Sequence, residues 1–157
     1  MLGLVARHLD RLDYEYCQIS GDVNLIKRNE IVHEFNSAQN ESLRIMLLSL
    51  TAGGVGLNLV GANRMFILDI HWNPALEQQC SDRIYRVGQT KNVTIYRFIC
   101  ENTIEERIEQ VQQHKVVLAQ KVCNDNGVNV AGLTARATNA KLTVDDFRNL
   151  FADFEEN

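Results

Sequence analysis

Leu43-Arg44-Ile45-Met46-Leu47-Leu48-Ser49-Leu50, running on into Thr51-Ala52-Gly53-Gly54-Val55-Gly56-Leu57-Asn58, is the stretch on which the fold turns. Its first half is almost purely apolar, without the polar alternation of a strand that keeps one face wet. That is the pattern of a parallel strand covered on both faces. Its second half is a glycine-rich turn, where backbone N–H groups can approach an anion because no Cβ intervenes. In open parallel sheets, ligands sit outside the carboxyl ends of the strands, which is where this turn falls. Taken alone, it is equally well a tight strand-to-helix connection with no ligand.

Before this stretch, Leu2, Val5, Ala6, Leu9 and Leu12 are spaced for one helix face, with Arg7, His8, Asp10 and Arg11 outward. Tyr14 to Ile19 is a short strand, closed by the turn Ser20-Gly21-Asp22. Asn24 is placed to cap a helix with the buried stripe Ile26, Ile31, Val32 and Phe35. After the stretch, Arg64 to Ile70 is another buried strand, and Asn73-Pro74 is an N-cap followed by proline at the first helical position. That start predicts a helix through Arg86, stopped by Gly88. Val93 to Ile99 is a further apolar strand, and Thr103-Ile104-Glu105-Glu106 is a capping box opening a long helix that stops near Asn124.

Strands alternating with helices at this spacing predict an α/β fold, a parallel sheet flanked by helices. Residues 1–122 form the lobe, 123–141 a small-residue linker, and 142–157 a short C-terminal helix. The length of 157 residues suits one such domain with a helical tail, and 45% hydrophobic content is ordinary for a chain with a real core. The longest apolar runs, such as Met65 to Leu68, fall far short of the roughly 20 residues of a membrane span. Cys17, Cys80, Cys100 and Cys123 are scattered, and the histidines do not cluster with them, so reduced thiols are predicted and no metal site.

Three polar clusters fall at strand ends and can share one edge: Ser49 to Asn58, Asp69 to Pro74, and the segment with Arg83 and Arg86. Gly53, Gly54 and Gly56 do not fit a dinucleotide fingerprint. No Lys-Ser or Lys-Thr occurs anywhere, so the chain has no P-loop. Asp69 ends an apolar strand as a magnesium-binding aspartate does, but without a P-loop its expected role is to organise the turn before Trp72. Arg83 and Arg86, three apart on the predicted helix, would project from one face. Paired guanidiniums repel unless an anion or acids lie between them; Asp82 could serve one. They are either a solvated surface or an arginine finger, a planar fork set to neutralise charge on a transferring phosphoryl group.

Ser49 to Leu59 resembles motif V of the Snf2-family ATPases, and Asp69-Ile70-His71-Trp72-Asn73-Pro74 is similar to that family's Asp-x-x-Trp-Asn-Pro signature. Gln79-Cys80-Ser81-Asp82-Arg83-Ile84-Tyr85-Arg86-Val87-Gly88-Gln89 resembles motif VI. Val93 to Phe98 and Thr103 to Ile108 resemble the closing strand and brace helix, and Arg28 to Asn36 the family's Arg-x-x-x-Ile-x-x-Phe-Asn helix. The resemblance covers roughly residues 14 to 120, and five motifs in register are far more specific than any one. Their wording is most similar to the lodestar and transcription-termination-factor branch. Ser20-Gly21-Asp22-Val23 departs from the commoner Asp-Gly-Ser-Thr loop.

The resemblance implies the C-terminal RecA-like lobe of an ATP-driven translocase on double-stranded DNA, in the nucleus. ATP with Mg2+ would be held mainly by an N-terminal RecA-like lobe, expected before residue 1 together with the first strand of this lobe. Arg83 and Arg86 would reach the γ-phosphate, supported by Gln79 and Asp82. Ser49, Thr51, Gly53 and Asn58 would lie near DNA phosphates and Trp72 at the minor groove, with Gly54, Gly56 and Asp69 shaping turns. Transcription or chromatin complexes would be the partners, and no membrane. The net charge of -4 counts against a free-standing nucleic-acid binder, though not against a basic edge on a lobe sharing its DNA. Two alternatives are an orphan lobe acting as an interaction module and a small stand-alone α/β enzyme using the glycine turn for a cofactor.

Overall fold

The computed structural model describes residues 1–37, 42–53, 56–125 and 144. Along the chain come α1 (Leu2–Arg11), β1 (Tyr16–Ile19), α2 (Leu25–Asn36), β2 (Ile45–Leu48) and α3 (Leu50–Gly53). They are followed by β3 (Arg64–Ile67), α4 (Pro74–Ser81), β4 (Thr94–Arg97) and α5 (Ile104–Asp125). β1 pairs parallel with β2, Tyr16 opposite Ile45 and Ile19 opposite Leu48. β3 pairs parallel with β4, Arg64 opposite Thr94 and Ile67 opposite Arg97. Parallel neighbours need a crossover connection; α2 supplies it for the first pair and α4 lies within it for the second. The α/β class and parallel pairing stand, but the strands form two two-stranded sheets where one sheet was predicted.

The chain divides into two compact units, one of Met1–Leu68 with Gln78–Arg97, the other of Asp69–Glu77 with Phe98 onward. In the first unit the core gathers Ile19, Ala52, Leu57, Leu59 and Ile84, with Ile31, Val32, Phe35, Met46, Leu48, Met65 and Val93 packed against it. Each fully buried aliphatic side chain contributes about 1.5–3 kcal/mol. The glycine turn (Ala52, Leu57, Leu59) and the arginine segment (Ile84) therefore anchor in one core with the strands.

Local chemistry starts the helices as the sequence predicts. Asn24 Oδ1 accepts the Lys27 N–H at 2.9 Å, and Asn73 Oδ1 accepts that of Ala75 at 3.0 Å. For α5, Thr103 Oγ1 accepts the Glu105 N–H at 3.2 Å. The carboxylate that reaches back is that of Glu105, to the Cys100 N–H at 2.7 Å, where the capping box named Glu106. Asn102, at φ 59, bends the chain so that the Cys100 amide meets the helix start.

Four expectations are corrected. Ile26, placed in the buried stripe of α2, is 74% exposed; the buried residue there is Arg28, whose guanidinium turns back onto the preceding loop. The α1 stripe includes no fully buried residue. β4, predicted as an apolar strand, is exposed at all four positions, and Tyr96 stacks on exposed Phe66 with ring centroids 4.9 Å apart. Finally, α4 ends at Ser81, not Arg86. Beyond it the amides of Arg83 and Ile84 bond three residues back, to the carbonyls of Cys80 and Ser81 at 3.1 and 3.0 Å. This tighter winding lets Ile84 enter the core, while the Arg83 carbonyl accepts the Leu59 N–H at 3.0 Å. Gly88 does close the segment, at φ 101, a conformation that glycine adopts without strain.

Cys17, Cys80 and Cys100 are free thiols. Burial pushes the Cys17 thiol up to about 11, so it stays protonated near neutral pH. Gly54, most of the expected 123–141 linker and almost all of the expected 142–157 helix lie outside the described residues. No helix among the described residues is long and apolar enough to cross a membrane.

Candidate functional site

The glycine-rich segment begins as one helical turn. Ser49 extends the first ladder with its N–H to the Ile19 carbonyl at 3.1 Å, and its Oγ accepts the Ala52 N–H at 3.4 Å. Cys80 Sγ donates to the Leu50 carbonyl at 3.6 Å, so α4 is pinned to the start of α3. Thr51 and Asn58 are exposed, Ser49 is half-buried, and Gly53 is the last residue of α3. Gly56 follows at φ 27.

Two neutral amides fix the exit of this segment. Asn36, the last residue of α2, donates from Nδ2 to the Asn58 carbonyl at 2.7 Å and accepts the Gly61 N–H on Oδ1 at 2.9 Å. Only a glycine fits so close: a Cβ on residue 61 would stand 3.0 Å from both Asn36 Cα and the Phe35 carbonyl. From the other side, Gln89 Nε2 reaches the carbonyls of Ala62 at 2.7 Å, Val60 at 3.2 Å and Ile84 at 3.3 Å. Its Oε1 accepts the Lys91 N–H at 2.9 Å.

Arg83 is half-buried and Arg86 exposed, within the turns that follow α4. They lie beyond the end of α4 at Ser81 and do not share a helix face, so helical spacing does not pair them. What joins the arginines to the glycine turn is the Leu59–Arg83 backbone bond and the shared core. Asp82 is exposed, and its Oδ1 accepts from Gln78 Nε2 at 2.9 Å; Gln79 is exposed as well. Gln78 was not singled out from the sequence.

In the second unit, Trp72 is half-buried beside the His71 ring, centroids 5.2 Å apart. Lys115 Nζ stands 4.7 Å from the Trp72 ring centroid, within cation–π range. The turn around it is organised through buried Glu77, whose Oε1 accepts the His71 N–H at 2.7 Å and Gln112 Nε2 at 2.9 Å. Gln112 also donates to the His71 carbonyl, and His71 Nδ1 accepts the Asn73 N–H at 3.0 Å. Asp69, the expected organiser, lies exposed. Among the described residues, no three His, Cys, Asp or Glu side chains form a group that could hold a metal ion.

Asn36, Gln89, Glu77 and Gln112 escaped the sequence reading as site residues. Asn36 and Gln89 do close two of the quoted motifs, which is the one signal that marked them.

Residues 2–88 match the helicase conserved C-terminal domain. The chain is 46% identical over 151 residues to transcription termination factor 2 of Drosophila melanogaster, covering 96% of this chain and 13% of that protein. It is 38% identical over 144 residues to the DNA repair and recombination protein RAD54-like of Drosophila grimshawi, covering 92% and 17%. With the chromatin-remodeling ATPase INO80 of Gibberella zeae the figures are 38% over 130 residues, 83% and 7%. Among solved structures, the C-terminal part of the Fun30 ATPase domain matches with a TM-score of 0.67 and 30% identity, over 93% of this chain and 38% of that one. The chain thus spans only 7% to 17% of these curated relatives.

Proposed function

Because this chain belongs to the helicase conserved C-terminal domain family, with relatives among the Snf2-type ATPases, we propose that it is the second RecA-like lobe of an ATP-driven motor on double-stranded DNA. The observation that carries this reading is the hydrogen bond from the Leu59 N–H to the Arg83 carbonyl, 3.0 Å. It ties the segment able to meet phosphates through its backbone to the segment carrying both arginines, in a chain without a P-loop.

ATP with its Mg2+ is the substrate, held mainly by the first lobe. Arg83 and Arg86 meet the γ-phosphate from the opposite side of the cleft, with Gln79 and Asp82 supporting them. A guanidinium is always charged, and its planar fork fits phosphoryl oxygens, so it stabilises charge as it develops. Such a finger contributes roughly 10³ to 10⁵ in rate, which keeps an open cleft effectively off. Ser49, Thr51, Gly53 and Asn58 face DNA phosphates, and Trp72 meets the minor groove. Phosphate contacts carry no sequence information, as a motor that steps along any sequence requires. The names of the relatives support work in the nucleus, in transcription termination or on chromatin.

The test is Arg83→Ala and Arg86→Ala in the two-lobe protein. Each is expected to lower DNA-stimulated kcat by about 10² or more, with DNA affinity changed far less. Near-normal kcat with weakened DNA binding would assign both arginines to the DNA face instead.

A further inference from the structure

We infer that Gln89 is a positioning residue that couples the DNA-facing glycine segment to the arginine segment. This inference rests on the two-lobe motor reading above. The Gln89 amide hydrogen-bonds to both segments: the Val60 and Ala62 carbonyls on one, the Ile84 carbonyl, between Arg83 and Arg86, on the other. Its orientation is set by its surroundings. With Oε1 taken by the Lys91 N–H, the NH2 group faces three carbonyl oxygens, and a flipped amide would turn oxygen against oxygen.

The backbone bond from Leu59 to Arg83 lies beside it, so the two segments are tied at two points. A shift of residues 58–62 on meeting a DNA phosphate is therefore carried to residues 83–86 as one body, and the arginines move with it. Asn36 provides the contrast. It holds the same segment, at Asn58 and Gly61, from α2, and none of its described bonds reaches the arginines. Losing Asn36 loosens the DNA-facing side; losing Gln89 uncouples the two.

The experiment compares ATP hydrolysis by the two-lobe protein with and without saturating double-stranded DNA. Gln89→Glu keeps the shape but turns the donor into an acceptor facing carbonyls; Gln89→Met keeps the volume without a buried charge, should the glutamate variant fail to fold. Both are expected to lower the ratio of DNA-stimulated to basal kcat about tenfold, a usual size for coupling between sites. Asn36→Asp is expected to keep that ratio at saturating DNA while requiring more DNA to reach it. A stimulated wild type with equally stimulated Gln89 variants overturns the coupling role alone. So does a parallel fall of basal and stimulated rates with a lowered Tm, which would make Gln89 merely structural. A wild type that double-stranded DNA does not stimulate overturns the motor reading and this inference with it.

Discussion

Arg28 donates from Nε to the Val23 carbonyl at 2.7 Å and from Nη2 to the carbonyls of Gly21 and Ser20 at 3.0 and 3.2 Å. It is 9% exposed, so its removal would leave three loop carbonyls short of a donor. Arg28→Ala is expected to cost about 3 kcal/mol. Arg28→Lys should recover less than half of that, since one ammonium cannot span a fork's acceptors. Denaturant midpoints measure both, and a loss below about 1 kcal/mol would mean that the loop is held otherwise. At this scale the sequence was legible wherever a residue acts on its near neighbours, as Asn24 does on Lys27 and Gly88 on its own backbone. It was silent where the partner is remote. Asn36 meets Asn58 and Gly61, 22 and 25 positions away, and Gln89 meets Val60, 29 away. A neutral amide carries no charge pattern or periodicity to announce such a partner.

Helix α4 and the turn before it show how elements exceed their local signals. The Asn73-Pro74 start is local and was predicted; the end at Ser81 is set by the core that takes Ile84 and by Leu59, which no spacing rule within 74–86 contains. The exposure of β4 has a related reason, since apolar composition states what a strand could bury, not what reaches it. For the Trp72 turn, the deciding element is α5, whose Gln112 bonds both Glu77 Oε1 and the His71 carbonyl. Gln112→Ala is expected to cost about 2 kcal/mol, because it takes a donor from a buried carboxylate and a carbonyl. Trp72 is the only tryptophan, so its emission reports the turn alone. Steeper acrylamide quenching should accompany the loss of stability. Unchanged quenching in a destabilised variant would show that Gln112 supports α5 but not the tryptophan.

For the whole molecule, the α/β class was legible because alternation of strand and helix is a property of the entire chain. Two separate parallel pairs were not, since the order of strands in a sheet depends on contacts that no local pattern encodes. The same wholeness governs activity. In the proposed reading Arg83 and Arg86 stabilise a transition state, but a lobe without a P-loop has nothing of its own to cradle the triphosphate, and its net charge of -4 gives no general attraction to DNA. The purified chain alone is therefore expected to hydrolyse no ATP, with or without double-stranded DNA. Covalently joined to its cognate first lobe, it should show DNA-stimulated turnover, with a gain up to the roughly 10³ to 10⁵ that a finger supplies. That gain should vanish when Arg86→Ala is introduced into the joined protein. Phosphate release from a highly purified preparation measures all three. Turnover above blank by the chain alone would place a complete ATP site within these residues and overturn the division of labour between lobes.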